Sequence, residues 1–376
     1  MKAYKFRVYP TKAQERELNK HLWIAKNLWN ELLEHSKQNY ENFELFPTKN
    51  TLQAMSKNHG LFSQTQQEVS HRVFESVMRT FKLRKKGIDC GFPRFKSIDR
   101  MRSLSYPQAG FKLLSDKELK VSPFGKLKIR QHRKIEGKIK TLTLKKAPTG
   151  KWFATFCVEQ EPKLPRENLG QQVGIDLGLK ELAVISDGTV IHNPRHLKDY
   201  ESDLASAQRQ LSRKVKGSKN RKKSKLRVAK LHEKVSNTRE DFLHKTTTQL
   251  VSNYSLIALE ELAPKQMAQE NFGKQINDAS WGKFANMLGY KAESAGCQIV
   301  FVNPKGTTKT CSCCGFSQDM PLSERIYYCP SCGMIKDRDL NAAINILNRA
   351  TLGHSGSNAS GDYPIGLSVK EEAHAL

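Results

Sequence analysis

The chain has 376 residues, which is enough for more than one domain and for a large apolar core that needs no disulfide bonds. Lys and Arg number 63 against 37 Asp and Glu, and the resulting charge of +26 predicts a polyanionic partner, nucleic acid before a membrane surface. No apolar run approaches the roughly 20 residues that span a bilayer, and the N-terminus has no signal-peptide core, so we expect a cytoplasmic protein without a membrane partner.

The chain begins with a predicted strand and a long helix. In "YKFRVYP", Tyr4, Phe6 and Val8 alternate with basic residues, a pattern typical of a half-buried strand. Thr11 followed by Gln14 is a capping-box signature for the helix. The apolar residues at helical spacing are Leu18, Leu22, Ala25, Leu28, Trp29 and Leu32, and the basic residues of the strand are Lys5 and Arg7.

A second helix is predicted where Val69, Val73, Val77 and Phe81 recur at steps of four. Its other face carries basic side chains, which either form a solvated surface or contact nucleic acid; they include Arg72 and Arg79.

Residues 94 to 161 are predicted to form short strands, including "KLKIR" and a hairpin in "KTLTLKKAPTGKWFATFCVE". If the N-terminal strand pairs with them, residues 12 to 93 form a helical insertion in a β-barrel.

An α/β pattern begins at Gln172. In "QVGIDLGLKELAVISDGTVI", Asp176 lies between Gly174 and Gly178 on one face of a strand. Glycines beside a carboxylate suit a place where a metal and a nucleic-acid backbone approach the sheet closely, although an exposed Asp near a strand end is the alternative. A second strand ends directly on Glu260, and a helix over 280–295, capped by Ser280 and stopped by Gly296, leads into the strand "CQIVFV".

Five of the eight cysteines cluster between residues 311 and 332. Two C-x-x-C pairs separated by a turn-rich spacer are typical of four thiolates around one structural zinc ion, with a glycine directly after each pair. A redox dithiol is the alternative, as is a register in which Cys313 replaces Cys314. The predicted ligands are Cys311, Cys314, Cys329 and Cys332.

"DRDLNAAINILNRA" predicts a helix with Leu340, Ala343, Ile344 and Leu347 on one face and Asp339 at its start. Taken alone, Asp339 is an ordinary helix N-cap. Together with Asp176 and Glu260, however, it completes a set of three carboxylates on an α/β scaffold in a basic chain. Such a set predicts a site that holds two Mg²⁺ ions and catalyses phosphodiester hydrolysis.

The run 213–227, "RKVKGSKNRKKSKLR", has nine basic side chains in fifteen residues and no acid. It is either a solvated surface or a contact for nucleic acid, with Arg221, Lys222 and Lys223 at its centre.

The motifs together resemble the TnpB family, the transposon-encoded OrfB proteins related to type V CRISPR effectors. The resemblance extends from residue 1 to about 348 and rests on "YKFRVYPTKAQ", "GFPRFKS", "GIDLGLKELAVISDG", "NTREDFLHK", "LEEL", "WGKFANMLGYKAE", "NPKGTTKTCSCCG", "YYCPSCG" and "DRDLNAAINIL". It implies an RNA-guided DNA endonuclease of a transposable element, which cuts guide-matched double-stranded DNA beside a short flanking motif. The family's three acids fall on Asp176, Glu260 and Asp339.

The resemblance also implies the fold class, a multidomain α+β protein. It predicts a β-barrel wedge domain (1–11 and 94–165), a helical recognition lobe (12–93), an RNase H-like RuvC nuclease domain (166–306 and 337–350) and an inserted zinc ribbon (307–336). The Gly/Ser-rich and then acidic composition of 351–376 separately predicts a disordered tail. Two catalytic Mg²⁺, one structural Zn²⁺ and a guide RNA from the transposon end are the expected cofactors. We expect one monomer per guide, in a prokaryotic cytoplasm and associated with the nucleoid.

Two other functions use similar residues. A transposase that processes DNA ends also needs metal-bound acids and a basic surface. A guide-bound repressor needs the surface but not the acids, so the intact acidic set argues against it.

Overall fold

The structure is a computed structural model that describes residues 1–161, 167–263, 267, 269, 273–321 and 323–352. The chain divides into two compact units, Met1–Pro162 with Lys214–Lys230 (unit 1) and Lys163–Arg213 with the residues from Leu231 onward (unit 2). Most of the predicted tail lies outside the described residues. Within the described residues, no helix is both long and apolar enough to cross a membrane.

Unit 1 is built on an antiparallel, nearly closed sheet of seven strands in the order β2-β6-β7-β1-β5-β4-β3. The first strand pairs with both β5 and β7, so the N-terminal strand belongs with the later strands, as the pattern predicted. The strands are β1 (Lys2–Tyr9), β2 (Ser103–Tyr106), β3 (Phe111–Leu113), β4 (Glu118–Val121), β5 (Gly125–Arg130), β6 (Lys138–Lys146) and β7 (Trp152–Glu159).

Three helices follow β1 before the sheet resumes: α1 (Lys12–Phe43), α2 (Lys49–Met55) and α3 (Ser63–Lys85). The predicted capping box is present, because the Gln14 N–H donates to Thr11 Oγ1 at 3.2 Å and the Thr11 N–H donates to Gln14 Oε1 at 3.0 Å. The apolar residues predicted for α1 are all buried, and they share one core with the sheet. The helices are therefore an insertion in the sheet that packs against it.

Unit 2 contains a five-stranded mixed sheet in the order β10-β9-β8-β11-β12. Strands β8, β11 and β12 run parallel to one another, whereas β9 pairs antiparallel with both β8 and β10. The strands are β8 (Gln171–Leu177), β9 (Glu181–Ile185), β10 (Val190–His192), β11 (Tyr254–Glu260) and β12 (Gln298–Val302).

Several helices pack against this sheet, and a two-stranded ribbon precedes the last described helix. The described helices are α4 (His196–Asp199), α5 (Glu201–Ser212), α6 (Lys219–Asn253), α7 (Gly273–Ala279), α8 (Trp281–Ala295) and α9 (Arg338–Leu352), and the ribbon strands are β13 (Ile326–Tyr328) and β14 (Ile335–Asp337). These features, with the helices inserted in the barrel-like sheet, confirm the predicted multidomain α+β fold class.

Two details of the helix predictions were wrong. Ser280 does precede α8, but its φ is 53° and its hydroxyl donates backward to the Asn277 carbonyl at 2.8 Å, so its side chain caps nothing. Its backbone N–H bonds Ile276 O, which makes Ser280 the left-handed end of α7. The stop at Gly296, with φ 68°, is confirmed.

The buried face of α9 also differs from the predicted one. Leu340, Ile344 and Leu347 are not fully buried, and Ala343 alone of the predicted face is. The fully buried side chains are Arg338, Asn341, Ala342, Ala343, Asn345, Ile346 and Ala350. Polar groups replace leucines here because this face of the helix contacts backbone carbonyls as well as the sheet.

Candidate active site and metal centre

Asp176 and Glu260 lie at the carboxyl ends of adjacent parallel strands. Leu259 of β11 is in register with Ile175 of β8, and the two acids are the next residues along their strands. Strand direction alone thus brings together two carboxylates that are 84 positions apart in the sequence.

Asp339 joins them from the first turn of α9, which packs across β8. The approach is close because Gly174 has no side chain: a Cβ there would lie 2.1 Å from the carbonyl oxygen of Ala343 and 2.6 Å from the nitrogen of Leu347. The glycine beside Asp176 therefore admits a helix of the same chain, and not a metal or nucleic acid as the sequence pattern suggested.

The N-cap of α9 is Asp337 and not Asp339. Asp337 Oδ1 accepts the backbone N–H groups of Asp339 at 2.9 Å and Leu340 at 3.0 Å. The Asp339 carboxylate is instead bound by arginines, with Arg338 Nε at 3.0 Å and Nη2 at 2.9 Å from Oδ1 and Arg325 Nη1 at 3.7 Å from Oδ2. The ordinary capping role is thereby filled by a neighbour, which leaves Asp339 available for the site.

The charges of Glu260 and Asp339 act on the Asp176 carboxylate. Burial, reinforced by the negative charges of Glu260 and Asp339, raises the pKa of Asp176 to about 7 against the opposing charge of Arg338. Burial also raises the pKa of Glu260, although a hydrogen bond from Thr307 and the charge of Arg349 act in the opposite direction. Burial and the neighbouring acids thus disfavour the ionised form of Asp176, and a bound cation would favour it.

A hydroxyl that the sequence patterns did not indicate bonds Glu260. Thr307, which is 2% exposed, donates from Oγ1 to Glu260 Oε1 at 2.5 Å. Thr307 lies in "NPKGTTKT", a segment without periodicity that belongs to one of the motifs shared with the family but was given no role of its own.

The four predicted cysteines converge. Among the described residues they are the one group of three or more potential metal ligands whose atoms all lie within 4.8 Å of one another. Sγ of Cys311 lies 3.7 Å from that of Cys332, and Sγ of Cys314 lies 3.6 Å from that of Cys329. Tetrahedral zinc with Zn–S bonds of about 2.3 Å places its sulfurs about 3.8 Å apart, so the cluster fits that ion. Cys313 is exposed and outside the group.

The same type of backbone turn follows each cysteine pair. Gly315 and Gly333 have φ of 80° and 73°, and their N–H groups bond Cys311 O and Cys329 O. The predicted turns after each pair are confirmed, because only glycine adopts such angles readily. The N–H of Phe316 also lowers the pKa of the Cys314 thiol to about 7, which favours the thiolate that binds a metal.

The basic residues predicted to contact nucleic acid lie in varied surroundings within unit 1. Lys5 and Arg7 flank the Phe153 ring, at 4.8 and 5.3 Å from its centroid. Arg72 is half-buried, 6.0 Å from the Trp29 ring, where burial lowers its pKa, so it does not lie on an open face. The remaining members are exposed or half-buried: Arg79, Arg221, Lys222 and Lys223.

Three family models match parts of the chain. The OrfB_IS605 model, described as "Probable transposase", matches residues 155–271. A Cas12f1-like TNB domain matches 281–346, which includes the cysteine cluster, and a helix-turn-helix domain of OrfB_IS605 proteins matches 1–45.

Curated relatives match nearly the whole chain. A Streptomyces pristinaespiralis protein named "Putative RNA-guided DNA endonuclease" is 30% identical over 362 residues, 92% of this chain and 88% of the relative. InsQ of Escherichia coli K12, which bears the same description, is 29% identical over 373 residues, 92% of each chain. TnpB-like protein L79 of Acanthamoeba polyphaga mimivirus is 29% identical over 228 residues, 55% of this chain and 43% of that one.

Solved structures share the fold at low identity. Cas12f1, in a complex with single guide RNA and target DNA, has a TM-score of 0.61 at 15% identity and covers 90% of this chain and 83% of its own. The RNA-guided endonuclease Cas_phi3 has a TM-score of 0.51 at 10% identity, with 94% and 92% covered. The Streptomyces relative matches almost the full length of the chain, and the family models match successive parts of it. The chain therefore belongs to the TnpB family, the OrfB proteins of IS605-type transposons.

Proposed function

We propose that this protein is an RNA-guided DNA endonuclease that hydrolyses phosphodiesters of guide-matched double-stranded DNA with Asp176, Glu260 and Asp339. The proposal is supported by Asp176 and Glu260 at adjacent strand ends and by the charge of Asp339 acting on Asp176, in a chain of net charge +26 whose relatives over most of its length bear that name.

The carboxylates fit a site for two Mg²⁺ ions. Carboxylate oxygens are the hard ligands that Mg²⁺ prefers. Burial, together with the negative charges of Glu260 and Asp339, raises the pKa of Asp176, and a divalent cation beside it would favour the ionised carboxylate. When bound, a metal pair supplies an activated water and stabilises the leaving oxygen. Arg338 and Arg325 already bind the Asp339 carboxylate, so metal binding must compete with these contacts.

Cys311, Cys314, Cys329 and Cys332 would hold one structural zinc ion, since four sulfurs leave no open coordination position for catalysis. The ribbon strand β14 ends at Asp337, and α9 starts at the next residue. Zinc in this ribbon would therefore fix the start of the helix that carries Asp339.

The partners we propose are a guide RNA encoded at the transposon end and the target DNA. Base pairing to the guide would select the target, while the protein contributes basic contacts to the phosphates and the cutting site.

The test is to purify the protein from its host and sequence the nucleic acid that accompanies it. A discrete RNA with a variable 3′ segment, which then directs cutting of a matching plasmid library randomised beside the target, would support the proposal. Bare transposon ends in place of RNA would support a transposase and contradict guided cutting.

A further inference from the structure

Three polar side chains at successive turns of α9 bind the segment that runs from the end of β12 into the first cysteine pair. Asn341, Asn345 and Arg349 are four residues apart and thus lie on one face of the helix. The segment, residues 303–312, contributes backbone groups to all three.

The hydrogen bonds are extensive for so short a segment. Asn345 Nδ2 donates to the carbonyls of Thr307 at 2.9 Å and Thr310 at 2.6 Å. Asn341 Nδ2 donates to Thr310 O at 2.8 Å, while its Oδ1 accepts the N–H of Ser312 at 2.9 Å. Arg349 Nη1 lies 2.8 Å from Asn303 O and 2.9 Å from Lys305 O.

The two asparagines are 0% and 6% exposed. Buried amides require hydrogen-bond partners, and the backbone of the segment supplies them to both side chains. The backbone of Thr307 is consequently fixed relative to α9.

The hydroxyl of Thr307, whose backbone is fixed in this way, donates a hydrogen bond to the Glu260 carboxylate. Its Oγ1 lies 2.5 Å from Glu260 Oε1 and 3.1 Å from Pro304 O, and its single proton favours the shorter bond to the charged acceptor. A continuous path of hydrogen bonds therefore runs from α9 through Asn345 and Thr307 to Glu260.

We infer that Thr307 is a positioning residue for Glu260, holding one carboxylate oxygen so that the other is presented to the metal ions. Asn345, in turn, fixes Thr307 to the helix that carries Asp339. The inference rests on the proposed function, because it assigns Thr307 to the site that Glu260 forms there. Groups that orient metal ligands typically change metal affinity or activity about 10–100-fold when removed.

The experiment compares Thr307→Val, which keeps the shape but removes the hydroxyl, with Thr307→Ser, which keeps the hydroxyl. The guide-loaded complex of each is titrated with Mn²⁺ by calorimetry, and the Glu260→Gln complex serves as the baseline for ions held by RNA. We expect Thr307→Val to bind the protein-held Mn²⁺ about tenfold more weakly and Thr307→Ser to bind like the wild type. Half-maximal cutting should require a correspondingly higher Mg²⁺ concentration only for Thr307→Val.

Zinc content and melting temperature report whether a variant is folded. If Thr307→Val melts early, the pair Thr307→Ala and Thr307→Ser isolates the hydroxyl in the same way. Unchanged Mn²⁺ affinity in the folded variant without the hydroxyl, or equal weakening in Thr307→Ser, would overturn the inference and leave the proposed function standing. A wild-type complex whose Mn²⁺ affinity depends on the Thr307 hydroxyl but which never cuts would refute the function alone.

Discussion

Gly174 lies where the backbone of α9 crosses strand β8, two residues before Asp176. The nearest atoms to an added Cβ would be backbone atoms of Ala343 and Leu347, at 2.1 and 2.6 Å, and backbone cannot move aside as a side-chain tip can. The position of Asp339 over the sheet thus depends on a residue that carries no chemistry.

Gly174→Ala should destabilise the protein, because the methyl group must push α9 away from β8. Overpacking of this kind costs about 1–3 kcal/mol, and the short distances favour the upper end. The measurement is the free energy of unfolding from chemical denaturation.

Gly289→Ala is the matched control. Gly289 is inside α8, and an added Cβ would meet nothing within 4 Å. Alanine there should stabilise by up to about 1 kcal/mol through helix propensity. If Gly174→Ala were as stable as the wild type, the close crossing of α9 over β8 would be refuted.

Residue patterns placed Asp176 and Glu260 at the ends of strands, as the structure has them, because the apolar run of each strand is visible in the sequence, whereas their catalytic role stays a prediction. They could not distinguish the roles of Asp337 and Asp339, since helix starts are uncertain by about two residues and both aspartates suit an N-cap. Thr307 and Arg338 were not predicted for a different reason. Their partners are distant in sequence or depend on a side-chain direction, and neither leaves a periodic signal.

At the scale of the elements, the ribbon depends on its cysteines more than on its core. Among its described residues, the buried apolar group consists of Cys311, Tyr327 and Cys329, with Met320 and Met334 packed against them. Such a small core supplies little stability, so folding of the ribbon should depend on the metal.

Cys329→Ser should therefore lower bound zinc and the melting temperature, whereas Cys313→Ser should leave both unchanged because Cys313 is exposed and outside the cluster. The measurements are elemental analysis and thermal unfolding of the purified variants. Less than about half an equivalent of zinc in the wild-type protein would refute the four-thiolate site.

The helices show where sequence periodicity succeeds and where it fails. It located α1 with its cap because the apolar spacing and the Thr11–Gln14 pair both persist in the structure. It misassigned the buried face of α9 because two of its buried residues, Asn341 and Asn345, are polar and bond backbone carbonyls. Hydrophobic pattern assumes that buried means apolar, and this helix is an exception.

At the scale of the whole molecule, the excess of positive charge is concentrated in segments such as 213–227. Lys222 and Lys223 there are exposed, whereas Lys225 forms an ion pair with Asp99 at 2.5 Å and Arg221 donates to Lys214 O at 2.9 Å. Like the exposed Lys214, Lys216 and Lys219 of the same segment, Lys222 and Lys223 can meet phosphates without losing a structural contact of that kind.

Replacing Lys222 and Lys223 with Gln should weaken nucleic-acid binding most at low salt. The slope of log K against log salt should fall by about 0.7–0.9 for each phosphate that the variant no longer neutralises. Stability should not change, because exposed charges contribute little to it. Binding is measured by fluorescence anisotropy over a salt series.

The control replaces Lys245 and Lys274, whose charges are already balanced by Asp241 and Glu201. The same loss of affinity in both double variants would show a general effect of net charge, and no loss in either would make segment 213–227 an ordinary solvated surface.

The two aspartates at the start of α9 are assigned different tasks, Asp339 to the cutting site and Asp337 to the helix. The most direct test is cleavage of a guide-matched duplex, at saturating Mg²⁺, by RNA-loaded complexes of Asp339→Asn and Asp337→Asn. Each change removes one charge at nearly constant shape, and Asn caps a helix about as well as Asp. We predict that Asp339→Asn binds guide and target normally but does not cut, since affinity comes from base pairing and basic contacts, and that Asp337→Asn retains substantial cutting. Near-normal cutting by a folded, RNA-loaded Asp339→Asn complex would contradict the catalytic assignment.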